Sequence, residues 1–216
     1  MEELKYILIA DGSSDNILKS VIDWTLDVNY PKLPVKGYWI DFRPIPKKVD
    51  TISEKLALAK HLYQFDVIFY HRDAETTDIK ILDQRKHEIL KGINDPETRN
   101  KTICVIPIKM MESWLLFDAE AIKKAAGNRH YKGNLELPQI KRIEREKQPK
   151  ELLHQLLKTA SGLKGRNLNK FNPHFATHLV ADNITDFAPL RQLKAFQVFE
   201  QDLKTIVDGF LELENK

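Results

Sequence analysis

Four carboxylates follow short apolar runs of the sequence, at positions where they could bind a metal ion. Asp11 comes directly after YILIA, Asp73 and Glu75 lie in YHRDAE, and Glu112 lies in KMMESW after the run TICVIPI. Grouped carboxylates repel one another and resist desolvation, so such a group is tolerated when a divalent cation lies among them. Oxygen ligands suit Mg²⁺ or Mn²⁺, which assist phosphoryl chemistry. These four acids therefore predict a metal site, with phosphodiester hydrolysis as the favoured reaction.

Histidine and basic side chains near the acids could complete this site. His71 can bind a metal through a neutral ring nitrogen, or contact a phosphate when it is protonated. Arg72 and Lys109 are predicted to pair with a phosphate, and Lys150 and Arg166 to hold a nucleic-acid backbone. An ordinary surface position is the open alternative for each of these four basic residues.

The spacing of apolar residues along the sequence predicts the strands and helices that must position these side chains. Runs rich in β-branched and aromatic residues predict strands at 6–10, 35–42, 66–70 and 102–108. The second run is less continuous, which indicates a strand nearer an edge. Helical periods lie between the runs, so the order predicts an α/β fold with a mainly parallel sheet of about four strands flanked by helices. The carboxyl ends of parallel strands share one edge, where the four acids should meet.

Helical periods also predict where the helices begin and how the chain divides. Ser14 is predicted to cap the first helix, and a capping or dipole role is the preferred interpretation for Asp15. The third helix is predicted to include Ile79 and to stop near Gly92. We predict an α/β core at 1–126 and a loop with a helical extension, packed on the core, at 127–216. The second helix is predicted at 51–63, and the helices of the extension at 150–160, 173–181 and 193–213.

Composition narrows the class of protein. Of the 216 residues, 42% are hydrophobic and 30% are charged, which is typical of a soluble globular chain with a sizeable core. No apolar run approaches the roughly 20 residues of a membrane-spanning helix. The first residues lack the basic, apolar and small-residue order of a signal peptide, so we expect a cytoplasmic protein that does not bind a membrane. The single cysteine, Cys104, excludes a disulfide within the chain.

The distribution of charge along the chain is a second indication of the kind of partner. The net charge of +3 is too small to indicate nucleic acid by itself. Residues 141–170, however, contain nine Lys or Arg against three Glu. A basic segment of this kind indicates a nucleic-acid partner, and a solvated helical surface is the simpler alternative.

Two segments resemble the Toprim domain of topoisomerases, primases and overcoming-lysogenisation-defect type nucleases. They are YILIADGSSD and VIFYHRDAE. In Toprim domains the first strand ends in a glutamate followed by glycine, and a later strand ends in an Asp-x-Asp pair followed by another acid. The stretches IPIKMMESWLLFDAEAI, QPKELLHQLL and FAPLRQLKAFQVFEQDL resemble a bacterial Toprim-like family of domains of unknown function, over nearly the whole chain.

The resemblance implies a Rossmann-like Toprim core, a divalent metal and nuclease activity. It places Asp11 at the glutamate proposed as a general acid or base, His71 at the first Asp of the pair, Asp73 at the second and Glu75 at the acid that follows. Aspartate is one methylene shorter than glutamate, and histidine favours softer ions, so the site is expected to prefer Mn²⁺ or to be weakly active.

Family context also implies a partner ATPase, often within a bacterial anti-phage defence system. The alternative to a nuclease is therefore a non-catalytic sensor or scaffold subunit that binds such an ATPase. The segment DAETT also resembles, more faintly, the nucleophile motif of haloacid-dehalogenase phosphatases.

Overall fold

The computed structural model describes residues 3–45 and 49–214 of the chain. Strands and helices alternate through the first half, as the sequence predicts. Short 3₁₀ helices precede the first α-helix and follow the last strand, at Ser13–Ile17 and Met111–Leu115. In order, the elements are β1 Leu4–Ile9, α1 Leu18–Asn29, β2 Val35–Trp39, α2 Ile52–Leu62, β3 Val67–His71, α3 Ile81–Lys91, α4 Pro96–Asn100 and β4 Thr102–Val105.

Helices make up the regular structure of the second half in the described range. Two further 3₁₀ helices lie at Ile140–Arg145 and Ala188–Gln192. The α-helices are α5 Ala119–Ala125, α6 Pro149–Ser161, α7 Gly165–Asn169, α8 Pro173–Asn183 and α9 Lys194–Glu214. Among the described residues, no helix has the length and apolar character needed to span a membrane.

The four strands form one parallel sheet in the order β2-β1-β3-β4, which confirms the predicted α/β class. Residues of β1, β3 and β4 are almost all buried, as continuous apolar runs predict for strands covered on both faces. β2 lies at an edge and is only partly buried, in agreement with its less continuous sequence. The direction in which the chain adds strands to the sheet changes between β1 and β3. The connection after β1 leads to β2 on one side of it, and the connection after β2 crosses back to β3 on the other side.

Several predicted helix boundaries are wrong. Gly12, rather than Ser14, caps the first helical turn. The third helix begins at Ile81, so Ile79 lies outside it and is 41% exposed. Helices α4, α5 and α7 are missing from the prediction because five to seven residues are too few to show a helical period.

The C-terminal helix packs against the sheet through aromatic side chains. The rings of Phe199 on α9 and Phe69 on β3 have centroids 6.1 Å apart, and Trp114 lies 5.8 Å from Phe199. All three side chains are buried. The hydrophobic core is therefore continuous across the chain, and the predicted division at residue 126 stays a prediction.

Candidate active site

A cavity of about 440 Å³ opens at the carboxyl ends of β1 and β3. This is the place where the strand order reverses, and the loops that leave the two strands diverge there and form a crevice. The order of strands and helices in the sequence predicts that acids after different strands meet at this edge. The lining residues are Asp11, Gly12, Asp15, His71, Arg72, Asp73, Glu75 and Arg85.

The turn after β1 folds the carboxylate of Asp15 back onto the end of the strand. Asp15 Oδ2 accepts a hydrogen bond of 2.8 Å from the backbone N–H of Gly12. A Cβ atom at residue 12 would lie only 3.0 Å from Asp15 Oδ1, so glycine allows this close approach. Asp15 therefore has the capping role that the sequence indicates. Its carboxylate also lies near the end of β3, the neighbour of β1 in the sheet.

His71 ends β3 with its ring held in one orientation. Its Nδ1 atom lies 2.9 Å from the carbonyl oxygen of Val105, the residue that it pairs with on β4. A carbonyl oxygen can only accept, so Nδ1 carries the proton of this bond. The other ring nitrogen, Nε2, lies 3.4 Å from Asp73 Oδ1 and 3.9 Å from Asp15 Oδ2. The imidazole is 2% exposed, so its unshared nitrogen faces two carboxylates away from bulk water.

Asp73 is held in an environment that disfavours its charge. Its Oδ1 atom is buried and has no hydrogen-bond partner in the described chain. Burial raises the pKa of Asp73 to about 6; the charge of a protonated His71 opposes this rise, whereas the charges of Asp15 and Glu112 add to it. A raised carboxyl pKa in a cleft is a common mark of a functional site.

Glu112 lies close enough for its charge to raise the pKa of Asp73. It belongs to the 3₁₀ helix after β4, and its side chain is only 5% exposed. Lys150, in the first turn of α6, lies 3.3 Å from Glu112 Oε1. The structure thus brings the predicted residues Asp73, His71 and Glu112 together, with Lys150 beside them.

Asp11 and Glu75 line the cavity, of which Glu112 is not a lining residue, and both are paired with basic residues. Asp11 is exposed and forms an ion pair with the buried Lys55 of α2. Glu75 has a left-handed backbone, with φ at 62°, and its carboxylate lies 2.9 Å from Arg85. Their roles as metal ligands stay predictions.

The remaining predicted phosphate contacts are more scattered. Lys109 also has a positive φ, and its Nζ atom donates a hydrogen bond of 3.0 Å to the carbonyl oxygen of Glu75. Arg72 lines the cavity and lies 3.8 Å from a carboxylate oxygen of Glu88. Arg166 is exposed on α7 and is not among the residues that line the cavity.

The donor atoms at this site suit a divalent cation of the Mg²⁺ or Mn²⁺ type. Asp15, Asp73 and Glu112 offer carboxylate oxygens, and His71 offers one imidazole nitrogen, which favours Mn²⁺ of the two. Within residues 3–45 and 49–214, no group of three or more His, Cys, Asp or Glu side chains is arranged so that it could hold a metal ion. The buried, unpartnered Oδ1 of Asp73 beside Nε2 of His71 is the feature that fits a cation.

Two residues that line this cavity, Asp15 and Arg85, are not predicted site residues, and neither is Lys55, which pairs with Asp11. The sequence indicates a capping or dipole role for Asp15, although its spacing of three residues from Gly12 after a strand also places it near the strand end. Lys55 lies on α2, 44 residues from Asp11, and Arg85 lies on α3, 10 residues from Glu75; no apolar period indicates either ion pair.

No family model, curated protein or solved structure was found to match this chain.

Proposed function

We propose that this chain is a divalent-metal-dependent nuclease that hydrolyses phosphodiester bonds in DNA or RNA. The observation that carries the proposal is that three hydrogen-bond acceptor atoms lie close together at the carboxyl edge of the sheet, where the strand order reverses. Nε2 of His71 faces Oδ1 of Asp73 and Oδ2 of Asp15, at 3.4 and 3.9 Å. Acceptors that face one another out of water repel, so a cation or an added proton must lie among them.

A divalent cation is the better occupant because more than one carboxylate charge must be balanced. Lys150 balances the charge of Glu112, but the charges of Asp73 and Asp15 remain, and a single proton neutralises only one of them. In this proposal Asp73, His71, Asp15 and Glu112 hold the ion. When bound, Mg²⁺ or Mn²⁺ supplies a Lewis acid that polarises the phosphoryl group and activates a water molecule.

The protein's own groups orient the ligands and the substrate. The hydrogen bond from His71 Nδ1 to the carbonyl oxygen of Val105 fixes the orientation of the ring and leaves Nε2 free to bind a metal. Arg72 and Arg85 line the cavity and present guanidinium groups that suit phosphate oxygens. Asp11 and Glu75 hold Lys55 and Arg85 at this edge of the sheet.

A cleavage assay with Asp73→Asn tests the proposal. The full chain, stripped with EDTA, is supplied with Mg²⁺ or Mn²⁺ and given labelled single- and double-stranded DNA and RNA. We expect metal-dependent cleavage by the wild type and a loss on the order of 100-fold in the variant, since even outer-shell partners of a metal contribute about 10–100-fold.

Asp27→Asn is the matched control for this assay. Asp27 is exposed near the end of α1, at the opposite edge of the sheet from the cavity, so the same chemical change there should leave cleavage unaltered. Equal metal-dependent activity in Asp73→Asn and the wild type would contradict the proposed site.

A non-catalytic sensor or scaffold subunit is the second candidate. The ion pairs of Asp11 with Lys55 and of Glu75 with Arg85 favour it, because they neutralise two of the acids that a Toprim-like site would use. In that case the chain would bind a partner ATPase and need no metal. Absence of cleavage, together with absence of Mn²⁺ binding in a calorimetric titration, would support this alternative.

A further inference from the structure

Two adjoining cavities form a groove on the helical half of the chain. One has a volume of about 640 Å³ and is lined by residues that include Tyr131, Lys158 and Lys164. The other, of about 500 Å³, is lined in part by Lys170 and Phe175. Leu163 lines both cavities, so they adjoin at this residue; we call them together the α6–α8 groove.

Helix α6 connects this groove with the candidate active site. Lys150 in its first turn contacts Glu112, which lies near Asp73. Lys150, His154 and Lys158 are spaced four residues apart and therefore share one face of the helix. Eight residues of α-helix span about 12 Å, so this face leads from the site to the groove over the length of a few nucleotides.

The groove carries positive charge that the protein does not neutralise. Lys158, Lys164 and Lys170 are exposed, and none has a carboxylate ion-pair partner in the described parts of the chain. Glu151 is the one acid among the described residues that line the two cavities. Burial, and then the positive charges of His174, Lys150 and Lys158, lower the pKa of His154 on the same helix. The groove should therefore attract a polyanion.

Apolar surface is interleaved with these lysines. Phe175 is 63% exposed and Leu163 is 39% exposed, and both lie in the groove. Exposed aromatic and apolar faces between cations match an unpaired strand, whose bases can stack on them while its phosphates meet the lysines. A duplex stacks its bases internally and presents mainly phosphates, so it would leave the apolar faces unused.

We propose that the α6–α8 groove binds single-stranded nucleic acid and leads it along α6 to the candidate active site. Lys158, Lys164 and Lys170 contact phosphates, Phe175 stacks on a base, and Lys150 lies where the strand reaches Glu112. The inference rests on the proposed function, because it names the substrate class of that same site.

Fluorescence anisotropy in EDTA tests the groove separately from cleavage. A labelled single-stranded oligonucleotide is titrated with the full chain over a range of salt concentrations. We expect the double variant Lys158→Ala/Lys164→Ala to bind more weakly and to lower the salt slope by about 1.4, at roughly 0.7 per phosphate on a single strand. Loss of one stacked base in Phe175→Ala should weaken binding about fivefold or more.

The matched control removes the same charge elsewhere. Lys32 and Lys91 are exposed and line neither cavity of the groove, so Lys32→Ala/Lys91→Ala should keep the wild-type affinity and salt slope. The inference is overturned if the groove variants bind the single strand with the same affinity and salt slope as this control. It is also overturned if the wild type binds a duplex of equal length as tightly as it binds the single strand.

The outcomes distinguish this inference from the proposed function. Groove-dependent binding by a chain that cleaves nothing in Mg²⁺ or Mn²⁺ would retain the groove and overturn the nuclease. Metal-dependent cleavage that is unchanged in the groove variants would retain the nuclease and overturn the groove.

Discussion

The Oδ1 atom of Asp73 is buried, has no hydrogen-bond partner among the described residues and lies 3.4 Å from the Nε2 atom of His71. Because Nδ1 of His71 donates to Val105, a neutral ring presents a lone pair to this oxygen. The two acceptors, together with the nearby charges of Asp15 and Glu112, destabilise the metal-free protein locally. Such a local cost is typical of functional sites, where binding rather than stability has been selected.

Asp73→Asn should therefore stabilise the metal-free protein while it removes activity. The amide of the new side chain has the shape of the carboxylate, carries no charge and can donate a hydrogen bond to Nε2 of His71. We expect the free energy of unfolding in EDTA to rise by about 1 kcal/mol. Urea unfolding with and without Mn²⁺ measures this, and Mn²⁺ should stabilise the wild type but not the variant.

Asp27→Asn should change the free energy of unfolding by no more than about 0.5 kcal/mol, both with and without Mn²⁺. A clear destabilisation of Asp73→Asn in EDTA would mean that His71 is doubly protonated and paired with Asp73, contrary to the arrangement of facing acceptors.

The carboxylate of Glu200 on helix α9 accepts hydrogen bonds from two other elements, α1 and the 3₁₀ helix Ala188–Gln192. Glu200 is 8% exposed; Arg191 donates to it at 2.7 Å and Asn29, at the end of α1, donates at 3.0 Å. Burial raises the pKa of Glu200, but the hydrogen bonds from Arg191 and Asn29 and the charge of Arg191 outweigh it, so the pKa is lowered. Protonation is thus disfavoured in the folded protein, and acid should weaken this attachment.

Glu200→Gln should lower the free energy of unfolding at pH 7 by about 1 kcal/mol, since Arg191 is partly exposed and solvent screens the pair. A lowered folded pKa contributes stability above the unfolded value of about 4.3 and loses it as the pH falls through the folded pKa. The difference between wild type and variant should therefore shrink below about pH 4. Denaturant unfolding from pH 3 to 7 measures it.

Glu97→Gln is the control for Glu200. Glu97 pairs with Lys101 at the surface, where its side chain is 76% exposed, so the change should cost less than about 0.5 kcal/mol at every pH. A Glu200→Gln effect of that size, or one that does not depend on pH, would show that Glu200 does not stabilise the attachment of α9.

At the scale of the whole molecule, the aromatic core joins the two halves of the sequence. Phe199 on α9 packs on Phe69 of β3 and on Trp114, which follows two residues after Glu112. β3 itself ends at His71, so packing of the helical half supports the strand that carries the candidate site. The helical half should therefore unfold together with the sheet.

Phe199→Ala should destabilise the entire chain by about 3–5 kcal/mol, because it removes a buried aromatic ring and leaves a cavity. Unfolding followed by far-ultraviolet circular dichroism and by tryptophan fluorescence should give one coincident transition, shifted to lower denaturant. Val28→Ala, at a side chain that is 41% exposed, should stay within about 0.5 kcal/mol of the wild type.

Two separate transitions, with only the helical residues lost in the first, would contradict this coupling. That result would instead favour the predicted division of the chain at residue 126.

The sequence by itself determined the α/β class, the four strands and the edge of the sheet where acids collect. Strand and helix periods are local properties, and the rule that parallel strands share a carboxyl edge needs only the order of the elements. Thus Asp11, His71, Asp73 and Glu75 could be assigned to one cavity before any contact was known.

Only the tertiary structure decided which of those acids face one another. Asp11 pairs with Lys55, which is 44 residues away, and the ring of His71 is oriented by Val105, 34 residues away. Asp15 reaches the site because Gly12 lets its carboxylate fold back against the strand end. Ion pairs and ring orientations depend on residues that are distant in sequence, and no local period encodes them, so the partners of each carboxylate become defined only when the chain has folded.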